Sequence, residues 1–420
     1  MSGKVAPARE AAFRILLKVE AGGHSDDLLF GPGVSALEER DRNLAMALVM
    51  GVLRWQIALD EQIRGAQTRP MVKMAAEVVA ALRLGVLQLR YMDKIPAHAA
   101  VDESVELCRI GGQDKAAPMV NAVLRRLERE GRPAVGARKI LVTAKQLAVQ
   151  YAHPEWLVAR WMRHYGAETA ETMLAAGQSE PSGDAAWFAD ADVGWLPQMD
   201  AASRLVAEMA ASNGAAVKTA LDCCAAPGNK TLVLALRMPQ AEIAAMDVSA
   251  ERLNAMRRRL RSFDYAGRVE CVEGDALRAG GGRYERILCD VPCSGTGTMG
   301  RNPEIRHRLQ AQEIGMQARR QREILRAGLE QLASGGRLVY STCSVEPEEN
   351  EQVVSAVLER AKGVRVVAAG DVLKELAAAG ILTSEAAEML AKTALRGDYL
   401  RTLPGVHACD GFFAAVIERG

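Results

Sequence analysis

Two cysteines occupy positions where a nucleophile would be useful. Cys343 follows residues 338–342, LVYST, whose aliphatic, β-branched and aromatic side chains fit a buried strand. Pro347, set among Glu346, Glu348 and Glu349, reads as the opening of an acidic helix. Proline is tolerated in a first helical turn, and carboxylates suit the positive helix end. The Cys343 thiol therefore falls between the carboxyl end of a strand and a helix, on the rim of an open α/β sheet where ligands collect. Cys293, in Asp290-Val291-Pro292-Cys293, follows another strand and brings a carboxylate and a second thiol to the same rim. Thiolates rather than thiols attack, so a positive environment would activate one of them. Covalent catalysis of this kind divides one difficult step into easier ones.

A second group of residues fits a nucleoside ligand. LDCCAAPGNKT, residues 221–231, lies between a strand and a helix, and its small residues let backbone amides approach a ligand closely. It is not GxGxxG, which disfavours a dinucleotide. Asp247 ends the next strand, about where an acidic residue meets ribose hydroxyls. Asp275 follows the third strand and could accept from an adenine amine. Three acids at successive strand ends, with no phosphate cradle, fit S-adenosylmethionine. Asp290 opens the loop DVPCSGTGTMGRNPEIRHR, which runs on through a flexible Ser-Gly-Thr-Gly-Thr stretch.

These loops need strands to hold them. From residue 217 onward, strand patterns at 218–222, 242–247, 268–272, 286–290, 336–342, 365–367 and 411–417 alternate with helical stretches such as 249–262 and 313–333, the latter stopped by Gly335-Gly336. Strands alternating with helices predict a doubly wound, mostly parallel sheet of seven strands. Residues 5–130 read instead as successive amphipathic helices over 8–19, 42–63, 71–91, 97–110 and 117–127, with no strand among them. The Gly111–Lys115 loop follows no strand and is not a phosphate loop. Helices at 154–165, 168–176 and 201–211 connect the two regions. The expected organisation is an all-helical domain at 1–135, a connector at 136–215 and an α/β domain at 216–420.

The 420 residues carry a net charge of +1 and no apolar stretch long enough to cross a membrane. The first twenty residues mix charges into their apolar pattern and make a poor signal peptide, so the expectation is a cytoplasmic protein. The eight cysteines form no zinc-type set, so no metal is expected; Cys108, Cys271 and Cys289 read as inert core thiols. Arginines cluster at Arg257, Arg258, Arg259 and Arg261, at Arg301, Arg306 and Arg308 with His307, and at Arg319, Arg320, Arg322 and Arg326. Three such clusters around one set of loops predict a phosphate-binding groove.

CAAPGNK, DVPCSGTG and STCSVEPEEN, with the tail Asp410-Gly411-Phe412-Phe413-Ala414, strongly resemble the RNA 5-methylcytosine methyltransferases of the RsmB/Nop type. Residues 39–45, ERDRNLA, with Gly51-Val52-Leu53-Arg54-Trp55 and residues 119–125, MVNAVLR, look like a NusB-type RNA-binding domain and point to the bacterial RsmB-like branch. The resemblance implies a Rossmann-like S-adenosylmethionine-dependent methyltransferase domain behind an all-α NusB-like domain. It implies Cys343 as the nucleophile that adds to cytosine C6, Cys293 as the residue assisting product release, and Asp290 as the group steadying the adduct at N3. Cys224, Ala225, Ala226, Pro227, Gly228, Asn229, Lys230, Asp247, Asp275 and Asp290 are implied cofactor contacts, with Arg252 a further candidate. The implied substrate is 16S ribosomal RNA. Transfer RNA, or a non-catalytic role as an RNA-binding assembly factor, are the alternatives; the oligomeric state is open. Two departures stand out. Asn229 replaces the glycine usual in the family. Residues 178–197 are too short for the usual RNA-recognition-like subdomain and lack its RxN-type segment.

Overall fold

The computed structural model describes residues 5–23, 25–67, 74–131, 143–179, 186–189, 194–278 and 284–420. The chain divides into two compact units, residues 1–178 with 302–307, and residues 179–301 with 308–420.

The first unit is helical. Its helices are α1 (Pro7–Glu20), α2 (Ser25–Leu29), α3 (Pro32–Ser35), α4 (Glu39–Ala66), α5 (Ala76–Tyr91), α6 (Ala97–Ile110), α7 (Ala117–Glu130), α8 (Ala144–Gln150), α9 (Glu155–Tyr165) and α10 (Ala167–Ala176). The 3.6-residue apolar spacing that marks these helices becomes their buried faces, as at Val120, Val123, Leu124 and Leu127 of α7. The start expected for the third long helix, 71–73, lies outside the described residues. Thr143 and Gln146 close a reciprocal cap on α8 that periodicity does not reveal.

Residues 302–307 belong to this unit, and they correct one expectation. Arg306 is buried and donates to the carbonyls of Arg54 at 3.0 Å and Gly177 at 2.8 Å. His307 Nε2 bonds the Leu53 carbonyl at 2.7 Å, and Glu304 accepts from the Ser25 hydroxyl at 2.7 Å. Burial, with Arg54 nearby, lowers the Arg306 guanidinium to about 9. The two basic residues at the centre of the 301–308 cluster therefore hold the helical unit together and do not line a phosphate groove.

The second unit is built on β1 (Thr219–Asp222), β2 (Glu242–Asp247), β3 (Val269–Glu273), β4 (Tyr284–Asp290), β5 (Leu332–Thr342), β6 (Val364–Val367), β7 (Leu395–Arg396), β8 (Tyr399–Arg401) and β9 (Phe413–Arg419). Strands β3-β2-β1-β4-β5 are parallel, and β9 closes antiparallel on β5. The far edge of β9 is shared: β8 pairs with residues 413–414 and β6 with 416–419. The helices are α11 (Ala201–Ala211), α12 (Asn229–Arg237), α13 (Ala250–Leu260), α14 (Ile305–Arg308), α15 (Ala311–Gln331), α16 (Glu351–Leu358), α17 (Ala369–Ala378) and α18 (Ser384–Thr393), of which α14 spans the boundary between the units. Alternate residues of the central strands enter opposite cores. Ile287, Cys289, Leu338 and Tyr340 pack with α15 and α16, while Leu288 and Val339 pack with α11, α12, α17 and α18. Burial on both faces is why these strands read as unbroken apolar runs.

Two local readings change. β5 begins at Leu332, immediately after α15, so Gly335-Gly336 is not a helix stop. Gly335 takes φ +72° inside the strand, where the β4/β5 register shifts between Tyr284 and Arg286, the signature of a bulge. The hairpin of β7 and β8, turning at Gly397 with φ +60°, was not expected, because each strand is too short to show alternation. Within the short segment 178–197, Phe188 forms an isolated bridge with Leu382 and lies 3.9 Å beneath the Arg204 guanidinium.

Candidate active site

Five loops at the carboxyl ends of β1, β2, β3, β4 and β5 carry the candidate residues. After β1, Cys223 turns inward and meets Cys289 at 3.4 Å between sulfurs, whereas Cys224 is only half-buried. The Ala225 amide donates to the Met246 carbonyl at 2.8 Å, which ties this loop to β2. Gly228 takes φ +100° immediately before α12, and a Cβ there would meet Met256 at 2.9 Å. Asn229, which stands where the family usually has glycine, is the first residue of α12 and takes no positive φ, so the position does not require glycine's backbone freedom. Asp247 is buried. It accepts from the Ala226 amide at 3.2 Å and the Ser249 amide at 3.0 Å. Arg252, largely exposed, reaches the Ala226 carbonyl and stands 3.5 Å from Asp247. Asp275 lies two residues beyond β3 and accepts from the Leu277 amide at 3.1 Å.

The β4 and β5 loops meet. Cys293 Sγ lies 3.3 Å from Cys343 Sγ. The contact with Cys343, then burial, push the Cys293 thiol well above its ordinary range. Asp290 accepts from the Ser341 hydroxyl at 2.7 Å and pairs with Lys230 Nζ at 2.7 Å. Burial by itself would lower the Lys230 ammonium, but Asp290 and then Cys343 raise it, so it stays charged. Its Nζ lies 5.1 Å from the centre of the Phe412 ring. Cys343, Cys293, Asp290 and Lys230 thus form one group, while Asp247, Asp275 and Arg252 stand at the neighbouring strand ends.

The acidic turn after Cys343 differs from its expectation. The helix starts at Glu351, and residues 346–350 form a buried turn ahead of it. Glu349 accepts from the Ser294 amide at 2.9 Å, from the hydroxyls of Ser294 and Ser344, and from Gln321 Nε2 at 3.0 Å. Thr342 and Asn350 close the turn through a 2.6 Å bond. Asp222 was also missed. It is buried, accepts from Thr231 at 2.7 Å, and burial raises its carboxyl to about 7. Its place as the last residue of β1 was a signal available from the sequence. Among the arginines, Arg301 pairs with Asp410 at 2.9 Å, and Arg257 donates to the Cys271 carbonyl at 2.8 Å; Arg258, Arg261, Arg319, Arg320 and Arg326 are exposed.

Residues 210–418 match the family described as 16S rRNA methyltransferase RsmB/F, and residues 6–129 match the NusB family. The chain is 30% identical to the ribosomal RNA small subunit methyltransferase B of Vibrio cholerae, over 99% of this chain and 98% of that one. It is 33% identical to the protein of the same name from Xanthomonas campestris, over 98% and 96% of the two chains. The solved structure of PH0851 superposes with a TM-score of 0.76 at 19% identity, with both chains covered in full, which speaks to fold alone.

Proposed function

The chain belongs to the RsmB/F family of 16S rRNA methyltransferases, and from that premise we propose that it methylates C5 of a cytosine in small-subunit ribosomal RNA through a covalent bond from Cys343 to C6. The observation that carries this reading is the pair of sulfurs 3.3 Å apart beside the Lys230–Asp290 ion pair. One sulfur suffices for addition; a second at hydrogen-bond distance suits a reaction in which the first must also leave.

The methyl donor in this reading is S-adenosylmethionine, and the residues fit it. Asp247, Asp275 and Asp290 supply carboxyl groups suited to ribose hydroxyls, an adenine amine and a positive sulfonium. Asn229 Oδ1 is a buried acceptor lacking a partner at the mouth of the loop, and Val248 sets an exposed apolar side chain beside Asp247. Residues 224–230, Asp247, Asp275 and Asp290 would hold the cofactor, with Arg252 bracing the loop. When bound, it supplies an electrophilic methyl group.

The chain's own residues do the rest. The Cys343 thiolate gives an electron pair to C6, and the C5=C6 π pair moves toward C5, which becomes the carbon that accepts the methyl. Negative charge also spreads toward N3 and O2, where the Lys230 ammonium, held by Asp290 at 2.7 Å, donates. A general base then takes the C5 proton. The C5–H pair re-forms C5=C6, and the S–C6 pair returns to Cys343 as thiolate. Cys293 donates a hydrogen bond to that departing sulfur. The target cytosine must be unstacked or single-stranded to reach the rim. In the same proposal residues 1–135 dock RNA, 136–215 connect, and 216–420 carry the chemistry.

The test is methyl transfer from labelled S-adenosylmethionine to unmodified small-subunit RNA by wild type, Cys343→Ala and Cys293→Ala. Label at cytosine C5 that vanishes in Cys343→Ala, with an RNA–protein adduct accumulating in Cys293→Ala, is the expected result. Label at a ribose, or full activity in Cys343→Ala, would sink the covalent route. Transfer to transfer RNA alone would replace the substrate, and cofactor binding failure in a folded wild type would favour a non-catalytic RNA-binding role.

A further inference from the structure

We propose that Glu349 is the positioning residue that assigns the two thiols their roles: it ties the Cys293 loop to the Cys343 loop and holds a negative charge beside Cys293, which keeps the proton there and leaves Cys343 as nucleophile. The inference rests on the reading of Cys343 given above.

The geometry comes first. Ser294 follows Cys293 and Ser344 follows Cys343 in the chain, and a single carboxylate receives both. Glu349 Oε1 accepts from the Ser294 amide at 2.9 Å and from Gln321 at 3.0 Å, while Oε2 accepts from the Ser294 hydroxyl and from the Ser344 hydroxyl at 2.5 Å. The side chain is fully buried. Burying a carboxylate is costly, and a neutral residue of the same shape often packs at no loss of stability. An acid at this place calls for an electrostatic reason.

The two sulfurs supply it. At 3.3 Å they cannot both ionise, so when the pair gives up one proton the surrounding charges decide which sulfur keeps the other. Around the pair stand Glu349 and Tyr340 from β5 and its loop, Asp290 from the end of β4, and Lys230 from α12. The Lys230 ammonium acts on Cys343, and Glu349 acts on Cys293. The contact with Cys343, burial and then Glu349 all push the Cys293 thiol up, against the opposing Gly295 amide. In the proposed reactive form Cys293 holds the proton and faces the Cys343 sulfur at 3.3 Å. The electron pair that attacks C6 is then on Cys343, and the proton on Cys293 remains to receive that sulfur when it leaves. No oxidant or reductant enters the step.

The experiment measures alkylation of each cysteine by iodoacetamide across pH 6 to 10, read by peptide mass spectrometry on the full-length protein. A pH midpoint reports protonation independently of access to the thiol. In wild type, Cys293 should alkylate only above the ordinary thiol range. In Glu349→Gln its midpoint should fall by about one pH unit, roughly a tenfold gain in rate at fixed pH. In Glu349→Asp, which keeps the charge, the midpoint should stay near wild type. A wild-type Cys293 midpoint at or below the ordinary thiol range overturns the proposal without any variant, so a Glu349→Gln chain that fails to fold does not protect it. A folded Glu349→Gln with an unchanged Cys293 midpoint overturns it equally. Methyl transfer to small-subunit RNA, run in parallel, separates the two claims. Absent transfer in wild type with the expected midpoints counts against the covalent route, and normal transfer by Cys343→Ala removes the premise.

Discussion

Gly297 sits where the Cys293 loop crosses two other segments, and adding one methyl group there should disable the site. A Cβ built on Gly297 would lie 2.0 Å from the Gly411 carbonyl oxygen, 2.7 Å from its carbon and 2.8 Å from the Cys343 carbonyl oxygen. All three are backbone atoms, so no side-chain rotation relieves the clash. Restoring ordinary contact requires one segment to move by about 1 Å. That movement stretches two hydrogen bonds, Gly297 amide to Cys343 carbonyl at 2.9 Å and Gly411 amide to Gly297 carbonyl at 2.8 Å. The hydrogen bonds are worth about 1 kcal/mol each, and overpacking adds about 1–3 kcal/mol. Gly297→Ala should therefore lose about 3–5 kcal/mol, a fall in Tm of roughly 6–15 °C for a unit of this size. Because the same movement carries the Cys343 backbone, a displacement of about 1 Å should reduce kcat by about a hundredfold. The atoms nearest the added carbon belong to Gly411 and Cys343 and not to residues 224–228, so S-adenosylmethionine affinity should hold within about threefold, roughly 0.7 kcal/mol. Calorimetric melting, cofactor titration and single-turnover methyl transfer measure the three effects. Gly315→Ala, on α15 with no atom within 4 Å of the added carbon, is the control and should gain about 0.5–1 kcal/mol. A Gly297→Ala protein with wild-type Tm and kcat would refute the claim that this crossing sets the sulfur positions.

Two further outcomes follow from buried charge. Burial holds the Asp222 carboxyl near 7, above the value it would have unfolded, so the native state binds the extra proton and stability falls as pH rises from about 4 to about 7, by at most about 1.4 kcal/mol per pH unit. Asp222→Asn should flatten that part of a Tm-against-pH curve, and a curve parallel to wild type would show that Asp222 is already ionised in the fold. Arg306→Ala removes a donor from the Arg54 carbonyl and from the buried Gly177 carbonyl and opens a cavity, so it should cost about 3–5 kcal/mol, while Arg306→Met fills the space and should cost less than half of that. If Arg306→Ala instead melts like wild type and binds RNA with a shallower salt dependence, the residue is a phosphate contact after all.

The inner strands β1, β2, β4 and β5 were legible because each is a largely buried apolar run that ends at or just before a residue of another kind, Asp222, Asp247, Asp290 or Cys343. The long helices were legible from their 3.6-residue spacing. Boundaries failed where a local signal had two structural meanings. Gly335-Gly336 can stop a helix or bend a strand, and only the β4/β5 register decides between them. β7 and β8, of two and three residues, carry no period at all.

The residues that escaped the sequence share a physical property: their partners are far away along the chain. Glu346, Pro347, Glu348 and Glu349 look like a solvated helix start because proline and carboxylates belong at such starts. Glu349 is nonetheless a buried acceptor for Ser294, 55 residues earlier. Arg306 looks like part of a basic surface because arginine clusters usually are one, yet its bonds run to Arg54, 252 residues away. A charge's neighbours in sequence describe the unfolded chain's field, whereas its role is set by which donors or carbonyls the fold brings within 3 Å. The same argument explains why both thiols could be named and their division of roles could not. Each cysteine follows a readable strand, but the loops that carry them are joined by the Glu349–Ser294 bonds and the Gly297–Gly411 crossing, two long-range closures that no local pattern encodes.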